Sequence, residues 1–310
     1  MKKTLITVAL LLIYADGGLA GTLILKRAWI EEYKDRATID ASFTVDHAHK
    51  TPNNPKDDAD MHVAGRAPKE VGLPMVAEMV NAYYASTPTE KKAISLIHEN
   101  EGTGQAVPIS GAWRLWFEHP AASQTQFANV PKAKNTNPDH SFEIHPITKF
   151  NGQDISSTFH LIKGFSGYDA ATAFGLYEKG SISIRASASS VTLVSKKMVY
   201  NYTHFRMHLV GTPLKLKDGG YAGLADVSAE KGDEEEAIAN KVRMIFVPHT
   251  APWETIDKGV NDGSVGDGTE LDALGIPRVN LNAISKFLSA AGDAAVTRKL
   301  PYEIIIVGLK

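Results

Sequence analysis

The sequence predicts an α+β protein that is mostly β, organised as a small β-barrel followed by a second α+β domain. Short runs that alternate apolar and polar residues recur along the chain, whereas clear helix-start signals are few. The composition, 43% hydrophobic and 22% charged, is typical of a chain that buries a core, and 310 residues are enough for two domains. We therefore expect two domains built mainly from strands.

Residues 1–20 have the three parts of a secretory signal peptide. A basic start, MKK, precedes an apolar run from Thr4 to Ala15, and Gly18 and Ala20 supply small residues for cleavage. An uncleaved anchor is the alternative, but Asp16 interrupts the run before it reaches the about 20 apolar residues that span a membrane. We predict a cleaved signal peptide, a periplasmic or secreted protein, and no membrane span after cleavage.

Charge, cysteine content and motifs narrow the classes of function. A formal net charge of -2 shows no basic excess, so the sequence carries no strong nucleic-acid signal. The chain has no cysteine, which excludes disulfides, thiolate metal sites and a cysteine nucleophile. It also lacks a Walker loop, a dinucleotide glycine pattern, H-E-x-x-H and G-x-S-x-G. No familiar motif therefore indicates a partner or a reaction.

Residues 57–152 are predicted to form the small barrel, and residues 21–56 an N-terminal extension. Strands are predicted at residues 57–63, 75–82, 107–118 and 137–148, although residues 75–82 could equally start a helix. A capping box at Thr87-Pro88-Thr89-Glu90 starts a helix that ends at Gly102. The order strand, strand, helix, strand, strand favours a partly open barrel of the oligonucleotide/oligosaccharide-binding (OB) kind.

The last strand of this barrel carries ionisable side chains on one face. In an extended strand Phe142 and Ile144 point to one side, while Glu143 and His145 point to the other. Pro146 follows, which predicts that the strand ends there or lies at an edge. One face of this strand packs, and the other presents chemistry.

A second alternation suggests a metal site. Asp58, Asp60 and His62 share one face of the first predicted strand, and pairing of the first and last strands would gather carboxylates and imidazoles that suit Zn²⁺, Mn²⁺ or Fe²⁺. The candidate metal ligands are Asp58, Asp60, His62, His119, His140, Glu143 and His145. The structural alternative is that the two aspartates hydrogen-bond a turn while Glu143 and His145 form a pair. His47 and His49, in a polar segment, are more typical of solvated histidines.

The strand at residues 107–118 adds a candidate ligand-binding set. Arg114, Trp116 and Glu118 alternate onto its polar face, where an aromatic ring between two charges suits a ligand platform. A tryptophan at the barrel rim beside an ordinary ion pair explains the same pattern equally well.

Residues 158–310 are predicted to form an α+β domain without a motif of its own. We predict strands at residues 181–184, 190–194, 198–202, 205–210, 242–247 and 302–307, and helices at 169–177 and 280–291. Residues 253–277, rich in glycine and aspartate, are predicted to be a loop. We detect no internal repeat.

Four short motifs resemble those of a group of uncharacterised exported bacterial proteins. They are Asp58-x-Asp60-x-His62, Val76-Ala77-Glu78, Gly111-Ala112-Trp113-Arg114 and Glu143-Ile144-His145-Pro146. The resemblance covers roughly residues 57 to 150, and it implies a small exported barrel without implying a reaction. Ala59 stands where the group usually has glycine, so the chain departs from the group's pattern there.

The sequence is compatible with two functions. The first is an exported soluble binding or interaction protein of unknown ligand, with its site on the polar face of the first domain. The alternative is an exported metal-dependent hydrolase acting on a phosphodiester or an ester, with a divalent metal ion as cofactor. In that alternative Glu143 is the general base, Arg114 holds an anionic group, and His145 is the third candidate catalytic residue.

Overall fold

The computed structural model describes residues 20–231, 234–290 and 295–310, so the predicted signal peptide, except for Ala20, lies outside the described residues. The predicted α+β, mostly β fold is confirmed. The strands are β1 (Ala20–Lys26), β2 (Thr38–Ala48), β3 (Met61–Arg66), β4 (Met75–Met79), β5 (Ala106–His119), β6 (Ser123–Thr125), β7 (His140–Phe150), β8 (Gln153–Asp154), β9 (Ser181–Ala186), β10 (Ser190–Lys196), β11 (Thr203–Lys215), β12 (Tyr221–Lys231), β13 (Glu234–Phe246), β14 (Glu270–Val279), β15 (Val296–Lys299) and β16 (Tyr302–Leu309).

The helices are α1 (Arg27–Tyr33), α2 (Pro88–Asn100), α3 (Ala170–Lys179), α4 (Ala251–Asp262) and α5 (Leu281–Ala290). Within the described part of the chain, none of them is long and apolar enough to cross a membrane.

The first barrel consists of β2, β3, β4, β7 and β5, in that order, and closes through the pairing of β5 with β2. β4 and β7 run parallel, and α2 lies between β4 and β5 in the chain. This arrangement is the OB-like barrel that the sequence predicted. The predicted capping box is present at the start of α2, where the Thr87 hydroxyl accepts the Glu90 N–H at 3.2 Å and the Glu90 carboxylate accepts the Thr87 N–H at 3.0 Å.

The first barrel begins at β2, earlier than the predicted boundary at residue 57. β2 lies inside residues 21–56, which we predicted to be an extension. Ile39, Ala41 and Phe43 are buried, and the polar residues between them are exposed. This period of two is the pattern of a half-buried strand, and it was present in a segment whose polarity suggested a loop.

β7 continues through Pro146 to Phe150, so the prediction that the strand ends or becomes an edge at His145 is wrong. The ladder between β7 and β5 is irregular at this point, between Gly111 and Trp113 on β5. A proline is tolerated inside a sheet at such an irregularity because no regular ladder bond needs its missing N–H.

Residues 203–309 contain a second closed barrel with the same strand order, β11, β12, β13, β16 and β14. In chain order, its third and fifth strands are β13 and β16, which run parallel as β4 and β7 do. α4 lies between its third and fourth strands, β13 and β14. The chain therefore contains a structural repeat, although we detected no repeat in the sequence. The loop predicted over residues 253–277 is wrong, because most of α4 and of β14 lies there.

The ends of α4 explain why a helix forms in a segment rich in glycine and aspartate. The Thr250 hydroxyl accepts the N–H of Trp253 at 3.4 Å, and Pro252 lies in the first turn. Gly263 ends the helix with a φ of 78°, a conformation that favours glycine. The start and stop signals were correct for a helix, and composition alone was misleading.

Residues 198–202, predicted as a strand, form a loop that leads into β11. Two of its carbonyl groups are bonded outside any ladder: the Tyr177 hydroxyl donates to the Tyr200 oxygen at 2.7 Å, and the Tyr168 N–H donates to the Tyr202 oxygen at 2.9 Å. Tertiary contacts therefore replace the sheet partner that a strand would need.

The two barrels repeat a buried pair of opposite charges. Arg114 on β5 lies opposite Glu143 on β7, and Arg278 on β14 lies opposite Glu303 on β16. Each arginine forms an ion pair with its glutamate, and all four residues are buried. These are the fourth and fifth strands of each barrel, so the pairs fix which positions of the two barrels are equivalent.

Each barrel also has a glycine three residues before its arginine. A Cβ added to Gly111 would lie 2.5 Å from Cγ2 of Ile144, and one added to Gly275 would lie 2.4 Å from Cγ2 of Ile304. The two isoleucines are themselves equivalent, since each follows the paired glutamate. Both glycines therefore permit the same close approach of the fourth strand to the fifth.

The two barrels pack against each other through the outer faces of these strands. Arg114 Nε donates to the carbonyl oxygen of Pro277 at 2.9 Å, and Arg278 Nη1 donates to the carbonyl oxygen of Trp113 at 2.8 Å. A separate apolar cluster combines residues of both barrels and of the segment between them: Ala59, Val80, Ala112, Phe159, Ile162, Tyr202, Val247, Leu274, Ile276, Ile305 and Val307. The outer face of the first barrel is therefore buried here.

Five further strands form a third sheet in the order β15, β9, β10, β1 and β6, whereas β8 pairs with the end of β7. α5 begins after Asn280, whose side-chain oxygen accepts the Ala283 N–H at 2.9 Å, as the sequence predicted.

Candidate functional site

Three strands of the first barrel place acidic and imidazole side chains at one point on its outer face. Asp60 immediately precedes β3, Glu78 lies on β4, and His145 lies on β7, the parallel neighbour of β4. On β7 successive side chains alternate, so Phe142 and Ile144 join the barrel core while His145 points outward. The strand order of the barrel thus brings together residues that lie far apart in sequence.

These three residues form a group that could hold a metal ion. Asp60, Glu78 and His145 each offer one donor atom, and the three atoms lie within 4.8 Å of one another. His145 Nε2 lies 3.3 Å from Asp60 Oδ2, and His145 Nδ1 lies 3.4 Å from Glu78 Oε2. Asp60 and His145 are 0% exposed and Glu78 is 4% exposed, so the group is shielded from solvent. We call these three residues the buried triad.

Tyr202 brings the second half of the chain to the buried triad. It directly precedes β11, the first strand of the second barrel. Its hydroxyl donates a hydrogen bond to Asp60, and it lies 2.7 Å from His145 Nε2. Burial, together with the neighbouring Asp60 carboxylate, holds the pKa of Tyr202 well above its usual range, so the hydroxyl remains a donor.

Glu143 lies beside the buried triad but is already balanced by positive charge. It forms an ion pair with Arg114, and its Oε1 lies 3.0 Å from His140 Nε2. Its Oε2 lies 3.2 Å from His145 Nδ1. Burial alone would raise the pKa of Glu143, but Arg114 and the two histidines hold it well below its usual range. Glu143 therefore stays ionised.

The two carboxylates of the buried triad share one cationic partner, His145. Burial raises the pKa of Asp60 to about 7 and that of Glu78 to about 8. Burial by itself would lower the pKa of His145, but Glu78, Asp60 and Glu143 raise it to about 10. Within the buried triad, two carboxylates therefore share the single positive charge of His145.

The second barrel has no such charges at the equivalent positions. The paired glutamates and the strand registers match Asp60 to Gly220, Glu78 to Ile245, and His145 to Ile305. Ile245 and Ile305 are fully buried. A barrel of this topology is thus built equally well with apolar side chains at these positions, so the fold itself does not require the buried triad.

The remaining predicted metal ligands do not belong to the buried triad, although Glu143 and His62 contact it. Asp58 lies in a turn, where its Oδ1 accepts hydrogen bonds from Asn53 Nδ2 at 2.9 Å and from the Asp60 N–H at 3.0 Å. His62 reaches Glu78, with its Nε2 3.4 Å from Glu78 Oε2. His119 contacts the site only indirectly, because its ring stacks on that of His140 at 5.3 Å. Of the seven predicted ligands, Asp60 and His145 are in the buried triad.

The predicted ligand-binding set does not form an open platform in this structure. Arg114 is 0% exposed, and it bonds Glu143, Glu118 at 3.1 Å, and the backbone oxygen of Pro277. Trp116 is 2% exposed and packs edge-on against Tyr177, with their ring centroids 5.6 Å apart. Arg114 therefore links the two barrels, whereas Trp116 packs against α3.

Sequence reasoning did not assign Glu78 and Tyr202 to the site. Glu78 carried a signal, because it is a single acid between Val76 and Val80 on the same face of a strand whose other face is apolar. Tyr202 carried none, since its position depends on how the second barrel packs on the first.

A scan with protein-family models finds no match to the chain, and a search of curated proteins finds none either. The site is therefore interpreted from its own chemistry.

Proposed function

We propose that this protein is an exported binding protein that holds one divalent cation between its two barrels, with Asp60, Glu78 and His145 as ligands. The observation that carries the proposal is the buried triad itself: three donor atoms within 4.8 Å, two of them carboxylate oxygens, in residues at most 4% exposed. A divalent cation, bound with His145 neutral, would supply one positive charge for each of the two carboxylates.

The donor chemistry indicates the class of ion. Two carboxylates and one imidazole are the ligands that Zn²⁺, Mn²⁺ and Fe²⁺ accept, and the absence of thiolates disfavours softer ions. The hydrogen bond from Tyr202 to Asp60 would orient that carboxylate, as outer partners of metal ligands commonly do. Because Tyr202 belongs to the second half of the chain, the ion would also join the two barrels.

The second barrel supports a functional rather than an architectural origin for the triad. It has the same topology, the same buried arginine–glutamate pair and the same close glycine approach. Yet the equivalents of the buried triad are Gly220, Ile245 and Ile305. Burying charged groups costs free energy, so their presence in one copy favours a specific role there.

The geometry supports binding more than hydrolysis. A hydrolase would need a substrate to reach Arg114 and Glu143, but Arg114 has no exposed surface and its guanidinium already bonds two carboxylates and a carbonyl. A catalytic metal keeps a coordination position open to substrate or water. Asp60 and His145 have no exposed surface through which that position would be reached.

Titration of chelator-treated protein with Mn²⁺, Zn²⁺ and Fe²⁺ by calorimetry tests the proposal. We expect the wild type to bind about one ion per chain, and Asp60→Asn, Glu78→Gln and His145→Gln each to weaken binding by at least about ten-fold. Asp57→Asn is the matched control, since Asp57 is exposed and lies three residues away, and it should bind as the wild type does. No binding by the wild type, or equal binding by all four variants, would contradict the proposal.

A further inference from the structure

Two stacked pairs of histidines flank the buried triad. In the first pair, the His49 and His62 rings are nearly parallel, with an interplanar angle of 13° and centroids 4.6 Å apart. In the second pair, the His119 and His140 rings make an angle of 21° with centroids 5.3 Å apart. In each pair one ring, His49 or His119, is less deeply buried. The more deeply buried ring, His62 or His140, contacts a carboxylate of the site.

The two pairs differ in how directly they reach the buried triad. His62 Nε2 lies 3.4 Å from Glu78, which is itself a proposed ligand. His140 instead contacts Glu143, which is held in an ion pair by Arg114. The first pair therefore leads to the triad in one step, and the second pair is separated from it by an engaged carboxylate.

The free hydrogen-bonding capacity of the two deeper histidines also differs. Both ring nitrogens of His140 are occupied, Nδ1 by the Pro138 oxygen at 2.6 Å and Nε2 by Glu143 at 3.0 Å. His62 Nδ1 is buried and has no hydrogen-bond partner among the residues that the structure describes. With its proton on the nitrogen that faces Glu78, His62 keeps a free lone pair on Nδ1.

On this side of the barrel, His62 lies between solvent and the buried triad. The His62 side chain is 15% exposed, whereas those of Glu78 and His145 are 5% and 0% exposed. His49 is half-buried and covers one face of the His62 ring. An ion that reaches His62 has Glu78 as its next donor.

We propose that the divalent cation enters and leaves the buried triad through His49 and His62, with His62 as a transient ligand before Glu78. This inference rests on the proposed function, since it requires that the triad binds an ion. The step is a ligand exchange: a water on the ion is replaced by an imidazole nitrogen of His62, and that nitrogen is then replaced by a Glu78 oxygen. Glu78 and His145 release their protons to solvent as they become ligands, and no electron transfer is involved. His62 therefore affects the rates at which the ion binds and leaves, and it is not a ligand of the bound ion.

Stopped-flow absorbance with Co²⁺ as the probe separates this role from a structural one. We expect His62→Phe to slow both Co²⁺ uptake and its release to a chelator by about ten-fold. This factor corresponds to losing, during entry and exit, one contact with the ion that is about as strong as a hydrogen bond. The dissociation constant should change by less than about three-fold, because His62 is not a ligand of the final site. His49→Phe, which keeps an aromatic ring, should slow the same steps and serves as a second variant if His62→Phe folds poorly.

His119→Phe is the matched control, because His119 is the outer member of the other stacked pair. It should leave both rates within about two-fold of the wild type. Wild-type rates in both His62→Phe and His49→Phe, or equal slowing by His119→Phe, would refute the entry route while leaving the metal site intact. A wild type that binds no Co²⁺, Zn²⁺ or Mn²⁺ would refute the proposed function and this route with it.

Discussion

Replacing Arg278 by methionine should strongly destabilise the protein, because this side chain fastens the second barrel to the first. Its guanidinium donates to Glu303 at 2.6 Å within its own barrel. It also donates to three carbonyl oxygens that precede or belong to the first barrel, those of Arg36 at 3.1 Å, Ala37 at 3.0 Å and Trp113 at 2.8 Å. It lies over the Trp113 ring, 3.5 Å from the centroid. Burial lowers the pKa of Arg278 to about 10, so it remains charged at neutral pH.

The magnitude follows from what the substitution leaves unpaired. Glu303 keeps one partner, Arg243 at 2.5 Å, but loses the other, and three carbonyl groups lose a donor. Breaking a buried ion pair from one side costs about 3–5 kcal/mol, and each unpaired buried carbonyl costs about 1–3 kcal/mol, although such values do not simply add. We expect Arg278→Met to lower the free energy of unfolding by about 3–5 kcal/mol.

Urea unfolding followed by circular dichroism and by tryptophan fluorescence measures this change. With an m-value of about 3 kcal/mol/M, the midpoint should fall by about 1–2 M, and agreement of the two probes would show that the barrels unfold together. Arg185→Met is the matched control, since Arg185 is exposed, and it should stay within about 0.5 kcal/mol of the wild type. An Arg278→Met protein within about 1 kcal/mol of the wild type would refute the view that Arg278 holds the barrels together.

Three further predictions concern the helix cap, the repeated glycine and the N-terminus. Burial would raise the pKa of Glu90, but hydrogen bonds from Ser157, Ser86 and Thr87 lower it below its usual value. The ionised Glu90 side chain therefore stabilises the fold fully above the unfolded pKa, and this stabilisation is lost as pH falls through the lower folded pKa. Urea midpoints at about pH 7 and about pH 3 should therefore differ less in Glu90→Gln than in the wild type, and an unchanged difference would exclude this cap as a source of acid sensitivity. Gly275→Ala should cost about 1–3 kcal/mol in the same assay, because its Cβ would lie 2.4 Å from Ile304; a neutral effect would show that the strands can separate without cost. Mass spectrometry of the exported protein should show that it begins at about position 21. A protein that still begins at Met1 would contradict signal cleavage.

The sequence predicted the first barrel because its strands carry clean local patterns. The alternation in β5 and β7, and the capping box of α2, depend on residues that are neighbours in sequence. β2 carries an equally regular alternation, but its exposed polar positions suggested a loop. Alternation of apolar and polar residues therefore identifies strands correctly when the exposed polar positions are counted as part of the pattern.

The second barrel was missed because its strands combine strand and loop signals. β14 contains both Gly275 and Pro277, residues that usually interrupt a strand. Gly275 makes the close approach to Ile304, and Pro277 lends its carbonyl oxygen to Arg114. Both roles arise from tertiary structure, so they become visible only when the two barrels are compared.

The sequence predicted only part of the site, because the rest depends on tertiary structure. Asp60 and His145 were candidates because their residue types are metal ligands on alternating faces. Their partner Glu78 depends on the parallel pairing of β4 with β7, and Tyr202 depends on the packing of the two barrels. Long-range pairing of this kind leaves no periodic trace in one sequence.

Elemental analysis of the protein, purified without chelator, tests the central claim most directly. We predict about one divalent transition-metal ion per chain in the wild type, and none in the double variant Asp60→Asn and His145→Gln. Circular dichroism of the double variant should confirm that it is folded, so that loss of metal reflects loss of ligands. A wild type without bound metal, or a folded double variant that retains it, would contradict the assignment of the buried triad as a cation site.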